Sequence, residues 1–141
     1  MTMRLKEIMS TRADYLSPNA SLQSACAEMQ KHDIGFLPVK ENGTLIGVVT
    51  DRDIATRGVA KGLDPNATID KVMTKKVFTI QETDTVDTAA KLMEQKQIRR
   101  LIILDKNNSI AGIVSLGDIA TKCNDMDLCG KIISTVSEKT H

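Results

Sequence analysis

The sequence predicts a mixed α/β (α+β) protein built from two copies of a β-α-β-β-α unit. Three observations lead to this fold class: the length, the composition and an internal repeat. The 141 residues suit one ordinary domain, or two very small ones that share a core. Hydrophobic residues make up 41% and charged residues 26% of the chain, which excludes a disordered or collagen-like protein.

The repeat becomes visible when residue 5 is laid over residue 69, with one extra residue near Asp105 in the second copy. Identical pairs then include Met29 with Met93, Gly47 with Gly112 and Asp53 with Asp118. A match that runs through both halves predicts two structural repeats. We place repeat one at residues 5–57, a linker at 58–68, repeat two at 69–122 and a C-terminal tail at 123–141.

Each repeat opens with a short extended piece, Asp14–Ser17 or Val77–Gln81, and a polar cluster that offers N-cap oxygens. The helix that follows has apolar residues spaced i, i+3, i+4 and i+7. These are Leu22, Ala25, Cys26 and Met29 in the first copy, and Val86, Ala89, Ala90 and Met93 in the second. The spacing predicts that all eight, including Cys26, are buried.

Two strands and a second helix complete each repeat. The strands are predicted at Phe36–Val39 with Leu45–Val49, and at Leu101–Leu104 with Ile110–Val114. The pairs Asn42-Gly43 and Asn107-Asn108 lie between them and tolerate the positive φ of a tight hairpin. Helices start near Asp53 and Asp118. Because one copy is too small to bury an adequate core, we expect the two to pack sheet to sheet as one compact body.

Several classes of protein are excluded by what the sequence lacks. Apolar runs such as Leu45–Thr50 are far shorter than the roughly 20 residues of a membrane helix. Charged residues interrupt the N-terminus before a signal peptide can form, so we expect a cytoplasmic protein. The net charge is +1 and aromatic residues make up 2%, so we expect no nucleic-acid interface.

The three cysteines and two histidines do not have the spacing of zinc ligands. Without a secretion signal, an odd number of cysteines also argues against a disulfide framework. We therefore expect no metal site. Cys123 and Cys129 leave a reactive pair open as an alternative, although no base flanks them.

A motif at the end of the second strand carries the chemistry of each repeat. Gly-h-Val-[Thr/Ser]-x-x-Asp-Ile, where h is apolar, places Thr50 before Asp53 and Ser115 before Asp118. A carboxylate there can accept hydrogen bonds from the two ribose hydroxyls of a nucleoside, and a hydroxyl beside a helix start suits a phosphate. The alternative is that these residues simply cap the helix.

These motifs resemble those of a tandem pair of CBS (cystathionine β-synthase type) domains. The resemblance covers about residues 5–122 and rests on Gly47–Ile54 and Gly112–Ile119, supported by Ile34–Val39 and Ile98–Ile103. The chain is also similar to small stand-alone bacterial proteins that consist of little more than this pair. The resemblance implies βαββα repeats with pseudo-twofold packing. It also implies regulation without catalysis, a homodimer, and two clefts for AMP, ADP, ATP or S-adenosylmethionine.

The resemblance further implies which residues form the clefts. In the first cleft these are Val48, Thr50, Arg52 and Asp53 with Val77, Phe78, Arg99, Arg100 and Ile102. In the second they are Ile113, Ser115, Gly117 and Asp118 with Ala13, Asp14, Phe36 and Pro38. The aspartate is expected to hold the ribose, Thr50 to approach phosphate, and the backbone near Val77 to read adenine. Ile102 stands where many relatives have proline.

The two clefts are expected to differ in charge. Three arginines, Arg52, Arg99 and Arg100, fall in the first cleft, and guanidinium groups pair well with phosphate. We therefore predict that the first cleft prefers the more highly phosphorylated ligand, although Asp51 adds an opposing charge. The alternative for Arg99 and Arg100 is a solvated start of the strand, or an ion pair at a dimer face.

The leading interpretation is a non-catalytic regulatory module that binds an adenosine-containing ligand. The alternatives are a ligand-free dimerisation or protein-interaction module, and an enzyme, against which stands the lack of a paired nucleophile and base. The homodimer contact is predicted at Ile54, Ala55, Ile119 and Ala120. The tail carries Leu128, Ile132, Ile133 and Val136 at helical spacing, and it is expected to cover the pair, to extend a dimer contact or to dock a protein partner.

Overall fold

The computed structural model describes residues 3–11 and 14–122, which form two compact units. The first unit spans Asp14–Val77, and the second unit combines residues 3–11 with residues 78–122. Each unit has its own sheet and its own hydrophobic core. The predictions for Ala13 and for the tail at 123–141 lie outside the described residues.

The first unit contains a helix, a two-stranded antiparallel sheet and a second helical segment. Its elements are α1 (Leu22–His32), β1 (Phe36–Glu41), β2 (Thr44–Thr50) and α2 (Asp51–Asp53). The last of these continues as a π-helical turn over Ile54–Gly58 and a 3-10 turn over Val59–Lys61. Leu16 adds one parallel bridge to Val39 of β1, where the sequence predicted an extended piece.

The second unit repeats this order and adds a third strand. Its elements are a 3-10 turn (Leu5–Glu7), β3 (Thr79–Gln81), α3 (Val86–Lys96), β4 (Arg100–Leu104), β5 (Ile110–Ser115) and α4 (Leu116–Lys122). The strand order is β3-β4-β5, with β3 parallel and β5 antiparallel to β4. The helices and the two small sheets confirm the predicted mixed α+β class.

The predicted N-caps hold the starts of α1 and α3. The Ser21 hydroxyl accepts the N–H of Ser24 at 3.0 Å, and the Thr85 hydroxyl accepts the N–H of Thr88 at 3.2 Å. Both helices end in the left-handed region, at Asp33 and Gln97 with φ 53, although no glycine marks these ends. None of the helices in residues 3–11 and 14–122 is long and apolar enough to cross a membrane.

The two hairpins turn in different ways. Asn42 and Gly43 both have positive φ, 52 and 79, which is the geometry of a tight hairpin and confirms the prediction. The second hairpin carries the extra residue and is organised by Asp105. Its carboxylate accepts the N–H of Asn107 at 2.8 Å and that of Ser109 at 3.0 Å, and Asn108 has φ 61.

The core of the first unit includes Leu22, Ala25 and Met29 of α1. Cys26 is exposed, so the prediction that it is buried was wrong. The buried stripe follows i, i+3 and i+7, and Cys26 lies at its margin, where no described part of the unit covers it. In α3 the equivalent Ala90 is fully buried, so the two helices do not bury the same set of positions.

The first residues of each sequence repeat belong to the compact unit that contains the strands of the other repeat. Leu5 is fully buried in the core of the second unit, and Ile69 in that of the first. Five residues after each, a backbone bridge joins the segment to a sheet: Ser10 pairs with Ile113, and Thr74 with Val48. The compact units are therefore offset from the repeats that the sequence displays.

Residues 58–68, the predicted linker, are part of the first unit. Gly58 is buried, and the N–H of Leu22 donates to the carbonyl of Ala67 at 2.9 Å. The Asp64-Pro65-Asn66 turn forms as expected, with the Asp64 carboxylate accepting the N–H of Asn66 at 2.8 Å. This segment therefore helps to hold α1 in place.

Candidate ligand-binding site

Two equivalent turns lie where a strand passes directly into a helix. In the first unit β2 ends at Thr50 and α2 starts at Asp51; in the second unit β5 ends at Ser115 and α4 starts at Leu116. We call Thr50–Asp53 the first turn and Ser115–Asp118 the second turn. Both carry the motif that the sequence singled out, so its hydroxyl and carboxylate lie at the same place in each unit.

The first turn is closed by reciprocal hydrogen bonds. The Thr50 N–H donates to Asp53 Oδ2 at 3.0 Å, and the Asp53 N–H donates to Thr50 Oγ1 at 3.0 Å. The Thr74 hydroxyl also donates to Asp53 Oδ2, at 3.4 Å. The other carboxylate oxygen, Oδ1, lies 3.9 Å from Arg57 Nε. The Asp53 side chain is therefore held from three directions.

The second turn has the same arrangement. The Ser115 N–H donates to Asp118 Oδ2 at 2.9 Å, and the Asp118 N–H donates to Ser115 Oγ at 3.0 Å. Asp118 Oδ1 lies 3.9 Å from Lys122 Nζ, which also donates to the carbonyl of Ile8 at 3.3 Å. A cation four residues after each aspartate thus faces the oxygen that does not cap the helix.

Capping therefore accounts for one oxygen of each carboxylate and leaves the other available. The side chains are 13% exposed at Asp53 and 25% exposed at Asp118, so both are largely buried yet reachable from solvent. An ionised carboxylate has several acceptor sites, and Oδ1 retains capacity beside a cation. Each turn can accept hydrogen bonds from a hydroxylated ligand without giving up its cap.

The glycine of each motif lets a neighbouring segment approach the strand. A Cβ on Gly47 would lie 2.8 Å from the carbonyl oxygen of Thr74, and a Cβ on Gly112 would overlap the carbonyl oxygen of Ser10. Side chains do not tolerate such contacts, so glycine is required at both places. At the first turn this approach is what brings the Thr74 hydroxyl to Asp53.

Within each hairpin, the structure pairs residues that the sequence assigned to opposite clefts. Phe36 lies opposite Thr50 and Pro38 opposite Val48. Arg100 lies opposite Ser115, and Ile102 opposite Ile113. Pro38 and Ile102 are buried, whereas the other residues of these four pairs are half-buried or exposed.

Both predicted arginines of the second hairpin lie at the second turn. A cavity of about 480 Å³ is lined there by Arg99, Arg100, Ser115, Leu116, Gly117 and Ala120. The N–H of Leu116 donates to the carbonyl of Arg99 at 2.8 Å, so the start of β4 is fastened directly to the turn. The cavity lining therefore includes two arginine residues and the serine of the motif.

The first turn has a different neighbourhood. The positions equivalent to the two arginines are Gly35 and Phe36, and the Asp51 N–H donates to the carbonyl of Gly35 at 3.0 Å. A Cβ on Gly35 would lie 2.6 Å from Asp51 Oδ2, so the carboxylate occupies this space. Arg52 is exposed on the same turn. An acidic side chain therefore lies at the first turn, beside the glycine whose equivalent near the second turn is an arginine.

Three other predicted residues, Asp14, Val77 and Phe78, have local contacts and partial burial. Asp14 Oδ2 lies 3.8 Å from His32 Nε2, which also lies 3.3 Å from a carboxylate oxygen of Glu28. Val77 and Phe78 are half-buried, and Lys96 lies 5.6 Å from the centre of the Phe78 ring. The predicted clefts, each of which combines residues of both repeats, stay predictions.

Three contacts of the site were missed by sequence reasoning: Thr74, Arg57 and Lys122. A signal was present for each, since Thr74 matches Ser10 in the repeat, and both cations follow their aspartate by four residues. In the part of the chain that the structure describes, no three histidine, cysteine or acidic side chains come together in a way that could hold a metal ion.

Comparison with known proteins places this geometry in a family. The model of the CBS domain matches residues 5–59 and again residues 69–125. The chain is 38% identical over 135 residues to the CBS domain-containing protein YhcV of Bacillus subtilis, covering 96% of each chain. It is 32% identical over 117 residues to Hypoxic response protein 1 of Mycobacterium tuberculosis, covering 82% of this chain and 81% of that protein.

Solved structures agree with the sequence matches. The CBS domain pair of protein MJ0100, in complex with 5′-methylthioadenosine and S-adenosyl-L-methionine, superposes with a TM-score of 0.75 at 31% identity, over 85% of this chain and 94% of that one. The repeat, the motifs and the fold are all explained by the two matches of one family model and by relatives of similar length. The chain belongs to the CBS domain family and carries two CBS domains.

Proposed function

We propose that this protein is a regulatory module that binds an adenosine-containing ligand at the two strand-to-helix turns. One observation carries the proposal: each unit holds a serine or threonine and an aspartate in the same reciprocal arrangement, and the second carboxylate oxygen takes no part in the cap. The MJ0100 pair, at 31% identity, is a complex with two adenosine derivatives, which supports the ligand class.

The residues then have distinct roles. Asp53 and Asp118 accept hydrogen bonds from the ribose hydroxyls, because a carboxylate suits a vicinal diol. The hydroxyls of Thr50 and Ser115 lie beside the group attached to the ribose 5′ carbon. Apolar strand residues contact the base, Val48 at the first turn and Ile113 at the second. We retain AMP, ADP, ATP and S-adenosylmethionine as candidate ligands.

Binding itself is the proposed function, and no cofactor is required. Members of this family usually sense or regulate, as the resemblance implied, so occupancy of the turns is the signal. A ligand-free interaction module is the alternative. It predicts that the second oxygen of each aspartate serves only its ion pair with Arg57 or Lys122.

A thermal-shift screen separates these functions. The purified protein is heated with AMP, ADP, ATP, S-adenosylmethionine, 5′-methylthioadenosine or NAD. A ligand that binds the folded state raises the melting temperature. We expect a rise with at least one adenosine derivative, and loss of that rise in Asp53→Asn/Asp118→Asn. Asp87→Asn, which removes a charge from an exposed position of α3, is the matched control. If no adenosine derivative stabilises the parent, the ligand-free alternative is correct.

We also propose that two copies of the chain associate through the first unit. Of the four residues predicted at the contact, Ile119 is fully buried and Ile54 is 6% exposed, whereas Ala55 and Ala120 are exposed. We place the contact at a groove that Ile54 also lines. It is lined by Leu22, Gln23, Cys26, Ile54, Val59, Leu63 and Pro65, and Val59 is 70% exposed.

A further inference from the structure

We propose that each unit carries a groove that recognises a short segment by its sequence pattern, and that the groove of the second unit also accepts this segment from a second copy of the chain. Residues 3–10, which we call the first entry segment, lie in the groove of the second unit. Residues 67–74, the second entry segment, lie in the equivalent groove of the first unit. Recognition of a segment requires no adenosine ligand, so this proposal and the proposed function can fail separately.

Backbone hydrogen bonds hold both ends of the first entry segment. Near the start of α3, the Val86 N–H donates to the carbonyl of Met3 at 2.9 Å. At the other end, Ser10 and Ile113 of β5 each donate an N–H to the carbonyl of the other, at 2.9 Å. In peptide recognition, main-chain bonds of this kind give affinity and side-chain pockets give specificity. The groove of the second unit therefore has the main-chain contacts of a peptide-binding site.

Two apolar side chains, three residues apart, anchor the first entry segment. Leu5 and Ile8 are both buried in the core of the second unit, and Met9 packs against the same core. A Cβ on Gly112 would lie 3.0 Å from the Met9 sulfur, so the glycine leaves room for this side chain. The anchors and the methionine define the pattern Φ-x-x-Φ-Met, where Φ is leucine, isoleucine or valine.

The first unit reproduces these contacts position by position. The Leu22 N–H donates to the carbonyl of Ala67 at 2.9 Å, and Val48 and Thr74 exchange two N–H donations of 2.9 and 2.8 Å. The apolar residues of its segment follow the same pattern and are buried: Ile69, Val72 and Met73. Because two different sequences fill equivalent grooves through the same bonds, the grooves select the pattern. The two entry segments are therefore expected to be interchangeable.

The two units differ in how their segments are connected. The first unit is one continuous stretch, Asp14–Val77. The second unit combines residues 3–11 with residues 78–122, and the whole first unit separates these stretches. Its groove is therefore filled from a distant part of the chain, and residues 3–10 of a second copy offer identical contacts. Exchange of an identical element between copies loses no bond, which makes it a low-cost route to a dimer.

Disulfide trapping in the full chain tests the exchange. One protein carries Ser10→Cys and the other Ile113→Cys, at positions that are bridged neighbours and within the reach of a disulfide. Both proteins also lack their natural thiols through Cys26→Ser, Cys123→Ser and Cys129→Ser. The two are unfolded together, refolded as a mixture at micromolar concentration and oxidised with glutathione disulfide. A mixed disulfide then forms efficiently only if the segment of one copy lies on β5 of the other.

The matched control replaces Ile113→Cys by Asn107→Cys, which places the thiol on the exposed turn between β4 and β5. We expect the yield of mixed disulfide to exceed that of the control roughly tenfold, since a bound segment holds the two thiols at an effective concentration far above that of free collision. Equal yields in the two mixtures would overturn the exchange.

Synthetic peptides test recognition of the pattern. Leu5→Ala/Ile8→Ala in the full chain weakens the hold of the resident segment, and Leu5→Val/Ile8→Val replaces it if circular dichroism shows the alanine variant to be unfolded. We expect a peptide of residues 3–11 to raise the melting temperature of the variant, and a peptide of residues 67–75 to do the same. The 3–11 peptide with Leu5→Asp/Ile8→Asp is the control and is expected to have no effect. The proposal is refuted if either native peptide stabilises the variant no more than this control.

Discussion

Asp53 and Thr50 hold each other through two hydrogen bonds of 3.0 Å, each from the backbone N–H of one residue to the side chain of the other. Sequence reasoning offered helix capping and ligand binding as alternatives for this pair. The structure shows that capping uses Oδ2, whereas Oδ1 lies toward Arg57. The two roles therefore involve different atoms, and a cap does not argue against a ligand.

Removal of the Asp53 side chain is expected to destabilise the protein. Asp53→Ala leaves the Thr50 N–H and the Thr74 hydroxyl without their acceptor, a loss of about 1–2 kcal/mol in the free energy of unfolding. Asp118→Ala is expected to cost less, since Asp118 is the more exposed of the two. Urea unfolding of both variants measures this. A larger loss in Asp118→Ala would contradict the ranking.

The motif glycines are expected to be intolerant of a methyl group. Gly112→Ala forces its Cβ onto the Ser10 carbonyl, and overpacking of this kind costs roughly 1–3 kcal/mol. Gly117→Ala is the matched control in the same unit, because its Cβ would meet nothing closer than the Ser115 hydroxyl at 3.5 Å. Since Gly117 lies within α4, alanine there is expected to be neutral or stabilising. Thermal unfolding of the two variants should separate them clearly, and equal melting temperatures would refute the close approach.

The groove on the first unit gives a prediction about assembly. A carboxylate introduced by Val59→Asp would have to be desolvated at an apolar contact between two copies. We expect the parent to sediment as a dimer at micromolar concentration and Val59→Asp to sediment as a monomer. Lys61→Asp places the same acid on a neighbouring exposed residue and serves as the control. A dimeric Val59→Asp protein would place the contact elsewhere.

The labelling rate of the Cys26 thiol provides a second test of the same groove. Its thiol is exposed in the single chain and lines the groove with Val59, so a thiol reagent should label it in the folded protein. In a background with Cys123→Ser and Cys129→Ser, we expect labelling to slow as protein concentration rises, because a second copy covers the groove. In Val59→Asp the rate should not depend on concentration. Labelling that is independent of concentration in both proteins would mean that the contact does not include Cys26.

Local and periodic features were predictable from the sequence. Ser21 and Thr85 cap their helices as expected, and Asn42-Gly43 forms the expected turn. Such features depend on a few neighbouring residues, whose side chains and φ preferences act over short distances. The spacing from Thr50 to Asp53 was predictable for the same reason, because the two residues that form the cap lie within one helical turn.

The repeat, the element order, the α+β class and the two residues at the centre of each turn could be predicted from the sequence alone. The contact of Thr74 with Asp53, the packing of the start of each repeat on the strands of the other, and the exposure of Cys26 could not. The cavity that Arg99 and Arg100 line with Ser115 also became visible only in the folded chain. These outcomes depend on which segments pair across long chain separations. Hairpin register and close backbone approach at Gly47 and Gly112 select those partners. The spacing of residues along the chain predicts neither of these features.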